Sequence, residues 1–216
     1  MIEPLLRRSR TVWVYDRRGH GASGDASHYS IDREAEDVLA VPVDVVAHSY
    51  GAVCVLLALD RAPVRSLAMD EPPLFASRVD PSERDQPDRL LQQSDLDRAL
   101  GRFLRAYADA QDDELSFLSS LPDVWSRLLQ GTQTLGRELD AVSGDVVSAL
   151  TAPSIPTLAL RGADTTCPNF PKAEELLSLF PGIEISQIPG QRHLGMAFAP
   201  DAVKTRLTEF WDRVSA

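Results

Sequence analysis

The stretch Val43-Asp44-Val45-Val46-Ala47-His48-Ser49-Tyr50-Gly51 decides the fold of this 216-residue chain. An apolar run precedes Ser49, and a second one, residues 52–59, follows it. A strand, a sharp turn that carries a serine and a helix make up a nucleophile elbow, whose pattern is Gly-x-Ser-x-Gly. Alanine replaces the first glycine here and is still small enough to let strand and helix come close. The alternative interpretation is a serine that only caps a buried helix.

The composition indicates one domain with an acidic surplus. The chain holds 22 Lys and Arg against 32 Asp and Glu, a net charge of −10. This balance disfavours binding to nucleic acid or to an anionic membrane surface. No apolar run approaches the roughly 20 residues of a membrane span, and no export signal is apparent. We therefore expect a cytoplasmic protein with neither nucleic acid nor a membrane as its partner.

Metal-ligating residue types are few and scattered along the sequence. The two cysteines are far apart, and the four histidines do not cluster; they are Cys54, Cys167, His20, His28, His48 and His193. None has the spacing of a metal site. We expect neither a metal nor a cofactor.

Apolar segments of strand length alternate with amphipathic segments of helix length. The predicted strands are 11–15, 42–47, 64–69, 157–160 and 183–188. The predicted helices are 31–40, with Ser30 as its cap, 50–59, 172–180 and one that begins near 201. Such alternation predicts the α/β class, a mostly parallel sheet flanked by helices.

Residues 74–150 interrupt this alternation. They hold no convincing strand and several amphipathic pieces, near 90–91, 96–104, 115–121 and 124–129. We predict a helical insertion there, and a core made of residues 1–73 and 151–216. An insertion at the carboxyl end of a strand lies over the ligand site of an open α/β sheet. The predicted wall residues are Phe103, Tyr107, Phe117 and Trp125, with Leu194 from the core.

A serine nucleophile needs a base, and His193 is the best-placed candidate. It follows the predicted strand 183–188, so it lies at the same sheet edge as Ser49. A surface or capping histidine is the alternative. His48 adjoins Ser49, but neighbours on a sharp turn project differently; we predict that it lines the site and contacts substrate.

The carboxylate that orients the base has two candidates. Asp164 follows the strand 157–160, and Glu71 follows the strand 64–69. The chain order serine, acid, histidine fits both of them. We predict Asp164 and keep Glu71 as the alternative.

Several motifs in order make the chain resemble the α/β-hydrolase superfamily, nearly end to end. Residues 15–24, Tyr-Asp-Arg-Arg-Gly-His-Gly-Ala-Ser-Gly, resemble the family's D-x-R-G-x-G-x-S loop. The elbow at 47–51, Glu71-Pro72-Pro73, Gly162–Asp164 and Gly190–His193 fall where the later motifs fall. The likeness is closest to small bacterial, cofactor-free, lidded, esterase-like members. It implies Ser49 as nucleophile, His193 as base, Asp164 as acid and residues 74–150 as a lid.

The resemblance also shows departures. The family has about three strands before the Asp16 motif and a His-Gly oxyanion loop, and no counterpart of these precedes residue 11 here. The remaining oxyanion donor is then the backbone N–H of Tyr50. Unless strands 11–15 and 42–47 pair directly, the gap between them would expose unpaired backbone, an edge that invites pairing with a second copy.

Three functions remain open at this point. The first is a serine hydrolase that cleaves an ester or related acyl bond of a small molecule through an acyl-enzyme. The second is a non-catalytic binding protein of the same fold. The third is a cofactor-free perhydrolase, haloperoxidase-like, with the same triad and peroxide as the acceptor.

Overall fold

A parallel sheet forms the centre of the structure, a computed structural model that describes residues 2–38, 44–75, 95–142 and 146–215. Its strands are β1 (Asp44–His48), β2 (Ser66–Asp70), β3 (Thr157–Gly162) and β4 (Glu184–Ile188). They lie in the order β1-β2-β3-β4, and each neighbouring pair is parallel. The predicted fold class, an α/β-hydrolase-like parallel sheet flanked by helices, is confirmed.

Helices cover both faces of this sheet. Those outside the insertion are α1 (Glu3–Leu6), α2 (Ile31–Asp37), α3 (Tyr50–Ala58), α9 (Ala173–Leu179), α10 (Gly195–Phe198) and α11 (Pro200–Val214). Ser30 caps α2 as predicted, because its side chain accepts from the backbone N–H of Arg33. The observed strands and helices start or end within a few residues of the predicted ones, with one exception described below.

Alternation along the central strands divides the core into two clusters. Leu67 and Met69 of β2 pack with α3 and with Phe180, which follows α9. Ala68, between them, packs on the opposite face with Leu207 and other residues of α11. Because successive side chains of a strand point to opposite faces, the central positions of β2, Leu67 to Met69, need apolar residues when both faces are covered.

The described part of the predicted insertion is helical. It contains α4 (Leu96–Ala108), α5 (Asp112–Ser119), α6 (Pro122–Gln130), a short 3-10 turn (Gly131–Thr134), α7 (Leu135–Val142) and α8 (Val146–Ala149). Apolar side chains of α4 and α5, among them Leu100, Leu104 and Leu115, form a third cluster of their own. The division of the chain into core and insertion stays a prediction.

The predicted first strand, 11–15, is wrong. These residues have no regular structure, and Trp13, Val14 and Tyr15 are 84%, 69% and 56% exposed. Their β-forming residue types favour a strand, but a strand also needs a neighbour for its backbone N–H and C=O groups. Among the described residues, β1 pairs with β2 alone and does not pair with this segment.

Some predictions fall outside the described residues: the end of the first helix at 39–40, the start of the second strand at 42–43 and the amphipathic piece near 90–91. In the described part of the chain, no helix is long and apolar enough to cross a membrane. The cytoplasmic location stays a prediction.

Candidate active site

Ser49 occupies a sharp turn between the end of β1 and the start of α3. Its backbone has φ 51° and ψ −128°, a conformation that L-residues rarely adopt. Its N–H donates to the backbone carbonyl of Asp70 at 2.8 Å, which fastens the turn to β2. Its side chain makes no capping hydrogen bond with α3, so the interpretation as a helix cap is not supported.

His193 lies after β4 at the same edge of the sheet and is buried. Its ring stacks on Phe170, with ring centroids 4.2 Å apart, and its other neighbour is His48, at 4.6 Å. Its Nδ1 is buried and has no hydrogen-bond partner. Burial, and then the charge of His48, hold the pKa of His193 well below its usual range. A neutral imidazole is the form that a general base requires.

His48 is paired with a buried carboxylate. Its Nδ1 lies 2.7 Å from Oδ2 of Asp70, whose side chain is only 4% exposed. The two residues are partners in register at the ends of β1 and β2. The sequence predicts that His48 lies near the elbow and predicts no role for Asp70.

Glu71 is also buried at this edge, in a left-handed backbone conformation with φ 48°. Its Oε1 accepts from the backbone N–H of Gly162 at 2.7 Å and from the hydroxyl of Thr165. Its Oε2 is buried and has no partner. Burial raises the pKa of Glu71 to about 7, although the hydrogen bonds from Thr165 and Gly162 oppose the rise.

Asp164 has a different setting from Glu71. It is exposed, and its backbone N–H donates to the carbonyl of Gln191 at 3.0 Å. Among the described contacts, no hydrogen bond joins its carboxylate to His193. The loop that carries it is held instead by Arg161, whose guanidinium donates to the carbonyls of Gly162, Thr165 and Pro171.

Tyr50, the predicted oxyanion donor, begins α3, so its N–H has no acceptor one turn earlier in the helix. Its side chain is held by the loop after residue 15. The Arg17 guanidinium lies 4.7 Å above the Tyr50 ring, and the Tyr50 hydroxyl contacts that of Tyr29. Arg17 in turn donates to Glu34 at 2.8 Å and to Glu138 of α7 at 3.0 Å.

The predicted wall residues are brought together only in part. The third cluster packs against Phe103 and Trp125 of the insertion and also against Leu194 of the core. Leu194 is the residue after His193, so this cluster connects the insertion with the loop of His193. Tyr107 is buried and stacks on Phe103 at 5.3 Å. Phe117 is half exposed and faces Phe198 instead.

A cavity of about 420 Å³ is lined by residues of the insertion, among them Trp125 and Arg105, and by neither Ser49 nor His193. Within the described ranges, no three His, Cys, Asp or Glu side chains are grouped as metal ligands.

Two site residues could not be found in the sequence alone. Asp70 meets His48 because the two strands align in register, and Phe170 meets His193 because of a loop conformation. The one signal available for Asp70 was its place at the end of a strand, beside Glu71. The roles of Ser49, His193, Asp164 and the wall residues stay predictions.

Comparison with known proteins finds a matching family model and similar solved structures. A model of the alpha/beta hydrolase family matches residues 2–206. An alpha/beta hydrolase from Sphaerobacter thermophilus is 30% identical; the match covers 91% of this chain and 80% of that one, with a TM-score of 0.73. A search of curated proteins finds no match.

Two further solved structures share the fold at lower identity. A carboxylesterase from Nitrososphaera gargenis is 16% identical over 99% of this chain and 84% of that one, with a TM-score of 0.73. BpoC of Mycobacterium tuberculosis, assigned as a non-heme bromoperoxidase, is 20% identical over 93% and 81%, with a TM-score of 0.63.

Proposed function

Since the chain belongs to the alpha/beta hydrolase family, we propose that it hydrolyses an ester or related acyl bond of a small molecule. The observation that carries this proposal is the backbone of Ser49, with its positive φ between a strand and a helix. A residue without a helix-capping role is held in this costly conformation, at an edge that also carries a buried histidine whose pKa is lowered by burial.

The reaction begins when the Ser49 hydroxyl oxygen attacks the substrate's carbonyl carbon and His193 takes the hydroxyl proton. The N–H of Tyr50 donates to the oxyanion of the tetrahedral intermediate. The intermediate collapses, His193 returns the proton to the departing alcohol oxygen, and an acyl group remains on Ser49. Water, deprotonated by His193, then releases the acid and restores the serine.

For the carboxylate we favour Glu71 over the predicted Asp164. A triad acid receives the N–H of the base at Nδ1 and is shielded from water. Glu71 is buried and keeps Oε2 free, while His193 is buried and keeps Nδ1 free. A hydrogen bond between these atoms would satisfy two groups whose desolvation otherwise costs about 1–3 kcal/mol each. Asp164, by contrast, is exposed.

Both candidates lie near the loop of His193 for the same structural reason. The backbone N–H of Gly162 binds Glu71, and the loop of residues 191 and 192 packs directly on Gly162. The side chain of Glu71 therefore approaches this loop from inside the sheet edge, whereas Asp164 approaches it from the solvent side.

The helices of residues 95–142 are proposed to form a lid over this edge. Asp109, at the end of α4, accepts from the N–H and hydroxyl of Thr166 in the loop after β3. The apolar cluster that includes Phe103, Trp125 and Leu194 would then supply one wall of the acyl pocket.

A fluorophosphonate probe tests the proposal, because it reacts covalently with an activated serine. We expect one label per chain, located at Ser49 by peptide mass spectrometry, and none in Ser49→Ala. The His193→Gln variant should fold and fail to label. A folded wild-type protein that takes up no label would favour the non-catalytic interpretation.

The acid is tested on a nitrophenyl ester with Glu71→Gln and Asp164→Asn, two changes that remove a charge and keep the shape. We expect Glu71→Gln to lower kcat by about 10³-fold or more, as for other triad carboxylates, and Asp164→Asn to stay within about threefold of wild type. The reverse result would return the assignment to Asp164.

A further inference from the structure

The pair of His48 and Asp70 has no part in the proposed reaction, yet it is built into the site. Asp70 is buried, and it uses two groups at once: its carboxylate binds His48, and its carbonyl binds the N–H of Ser49. A buried carboxylate is costly unless it is paired, so His48 stabilises Asp70 as much as Asp70 orients His48. The imidazole of His48 is thereby fixed beside the elbow.

The other ring of this arrangement is His193, which contacts two aromatic rings. Phe170 stacks on it at 4.2 Å and an interplanar angle of 19°, and His48 covers it at 4.6 Å and 38°. Phe170 is apolar, whereas His48 is an ionisable group that is paired with the Asp70 carboxylate. The two imidazole rings contact each other at a tilt, and no hydrogen bond between them is among the described contacts.

We infer that His48 is the positioning residue of His193: held by Asp70, it packs its ring against the ring of the base, and its charge disfavours a proton there. This inference rests on the proposed function of His193 as a base. Two cationic rings in such contact repel each other, so a positive charge on His48 disfavours one on His193. His48 is about one-third exposed and faces the Asp70 carboxylate, while His193 is buried.

The groups around His193 support a lowered pKa for its imidazole. Burial lowers the pKa of His193, and the charge of His48 lowers it further. The other charged groups at this edge are Asp70 and Glu71 after β2, Arg161 in β3, Asp109 after α4, and Arg192 on the loop of His193 itself. Asp70 is bound by His48, and Glu71 is held by Gly162 and Thr165. His48 is the charged group of this set whose effect on the pKa of His193 is resolved, and its ring contacts that of His193.

The kinetic test uses His48→Gln, whose amide can still donate to Asp70 but carries neither a ring nor a proton. Removing the positive charge makes His193 easier to protonate, so its pKa rises. Since the neutral form of His193 is the active one, the acid-side midpoint of kcat/KM against pH should move to higher pH. A purely structural role would lower kcat/KM equally at every pH without moving the midpoint, and that result would overturn the inference.

A second readout does not depend on turnover. The chain has four histidines, so ¹⁵N-labelled imidazoles can be followed individually through a pH titration. In folded His48→Gln, His193 should titrate at a higher pH than in the wild type. If the midpoint of His193 is unchanged or lower in the variant, the inference is wrong.

The two proposals can fail separately. A fluorophosphonate label at Ser49 with an unchanged His193 titration in His48→Gln would retain the hydrolase and remove the role of His48. The shifted titration without any label would retain the coupling of the two rings and remove the hydrolase.

Discussion

Gly162, the last residue of β3, lies directly against the backbone of Gln191. A Cβ atom at position 162 would be 2.3 Å from the carbonyl oxygen of Gln191 and 2.7 Å from Cα of Arg192. Both distances are far below van der Waals contact, and both atoms belong to backbone. The loop that carries His193 is therefore seated on the space that this glycine leaves free.

We accordingly expect Gly162→Ala to displace this loop and to lower kcat/KM for a nitrophenyl ester. A shift of about 1 Å in a catalytic group costs roughly 100-fold, so we expect a loss of that order. Gly51→Ala is the matched control, because nothing lies within 4 Å of its added Cβ. Equal activity of the two variants would show that the loop adjusts freely.

The buried carboxyl of Glu71 should make stability depend on pH. Its pKa is about 7 in the folded protein against an ordinary 4.5, so between these values the folded state binds more protons than the unfolded state. Stability therefore falls as pH rises from 4.5 to 7, and the loss is complete above 7. Glu71→Gln stays neutral and should raise the free energy of unfolding at pH 8 by up to about 3 kcal/mol.

Urea unfolding of the two proteins at pH 5 and pH 8 measures this difference. Near pH 5, where wild-type Glu71 is mostly protonated, the advantage of the variant should shrink. The control is Asp164→Asn, because Asp164 is exposed. This variant should have the same free energy of unfolding as the wild type at both values of pH. A variant that is less stable than the wild type at pH 8 would contradict a raised pKa.

How far the sequence predicts this molecule depends on which forces decide each part. Buried strands such as β2 and β3 are predicted well, because short apolar runs bounded by turn residues form few structures other than a buried strand. Residues 11–15 show the limit, since whether a β-forming segment becomes a strand depends on a neighbour that local sequence does not specify. Ser49 and His193 could be placed at one edge because parallel strands all end there.

The finer parts of the site cannot be predicted from local sequence, because they depend on tertiary contacts. The choice between Glu71 and Asp164 depends on which loop side chain points inward, and chain order is the same for both. The contact of His48 with Asp70 depends on strand register, which packing sets across residues far apart in the sequence.

The contact between α7 and the loop after residue 15, which carries Arg17 and His20, should contribute to stability. Glu138 binds the Arg17 guanidinium at 3.0 Å and His20 Nε2 at 2.6 Å. Burial alone would raise the pKa of Glu138, but the hydrogen bond from His20 and the charge of Arg17 hold it below its usual range. A carboxylate with a lowered pKa stabilises the fold above its unfolded pKa, and this contribution is lost as pH falls through the folded value.

We expect Glu138→Gln to lower the free energy of unfolding at pH 7 by about 2 kcal/mol, and by less near pH 4. Asp25→Asn is the control, because Asp25 joins the same two elements through an exposed pair with Arg137. That variant should change stability little. If both variants lose a similar free energy of unfolding, the buried pairs of Glu138 contribute no more to stability than the exposed pair of Asp25.

Association through the edge of β1 remains a prediction. Trp13, Val14 and Tyr15 are exposed, and β1 has one strand partner among the described residues. Both features favour pairing with a second copy. Sedimentation velocity should show a dimer that grows with protein concentration and is weakened by Trp13→Lys but not by Leu177→Lys, an exposed apolar site on α9. A wild-type monomer at every concentration would remove the prediction.

The strain at Ser49 can be measured by comparing two inactive variants. Ser49→Ala keeps a Cβ atom at φ 51° and ψ −128°, whereas Ser49→Gly removes it. A backbone conformation of this kind costs about 1–3 kcal/mol for a residue with a Cβ, and glycine gives back about 0.5–1 kcal/mol through the greater entropy of its unfolded chain. We expect Ser49→Gly to be more stable than Ser49→Ala by about 1 kcal/mol, although neither reacts with a fluorophosphonate. Thermal unfolding of both variants checks this, and a less stable glycine variant would mean that the turn at Ser49 stores no strain.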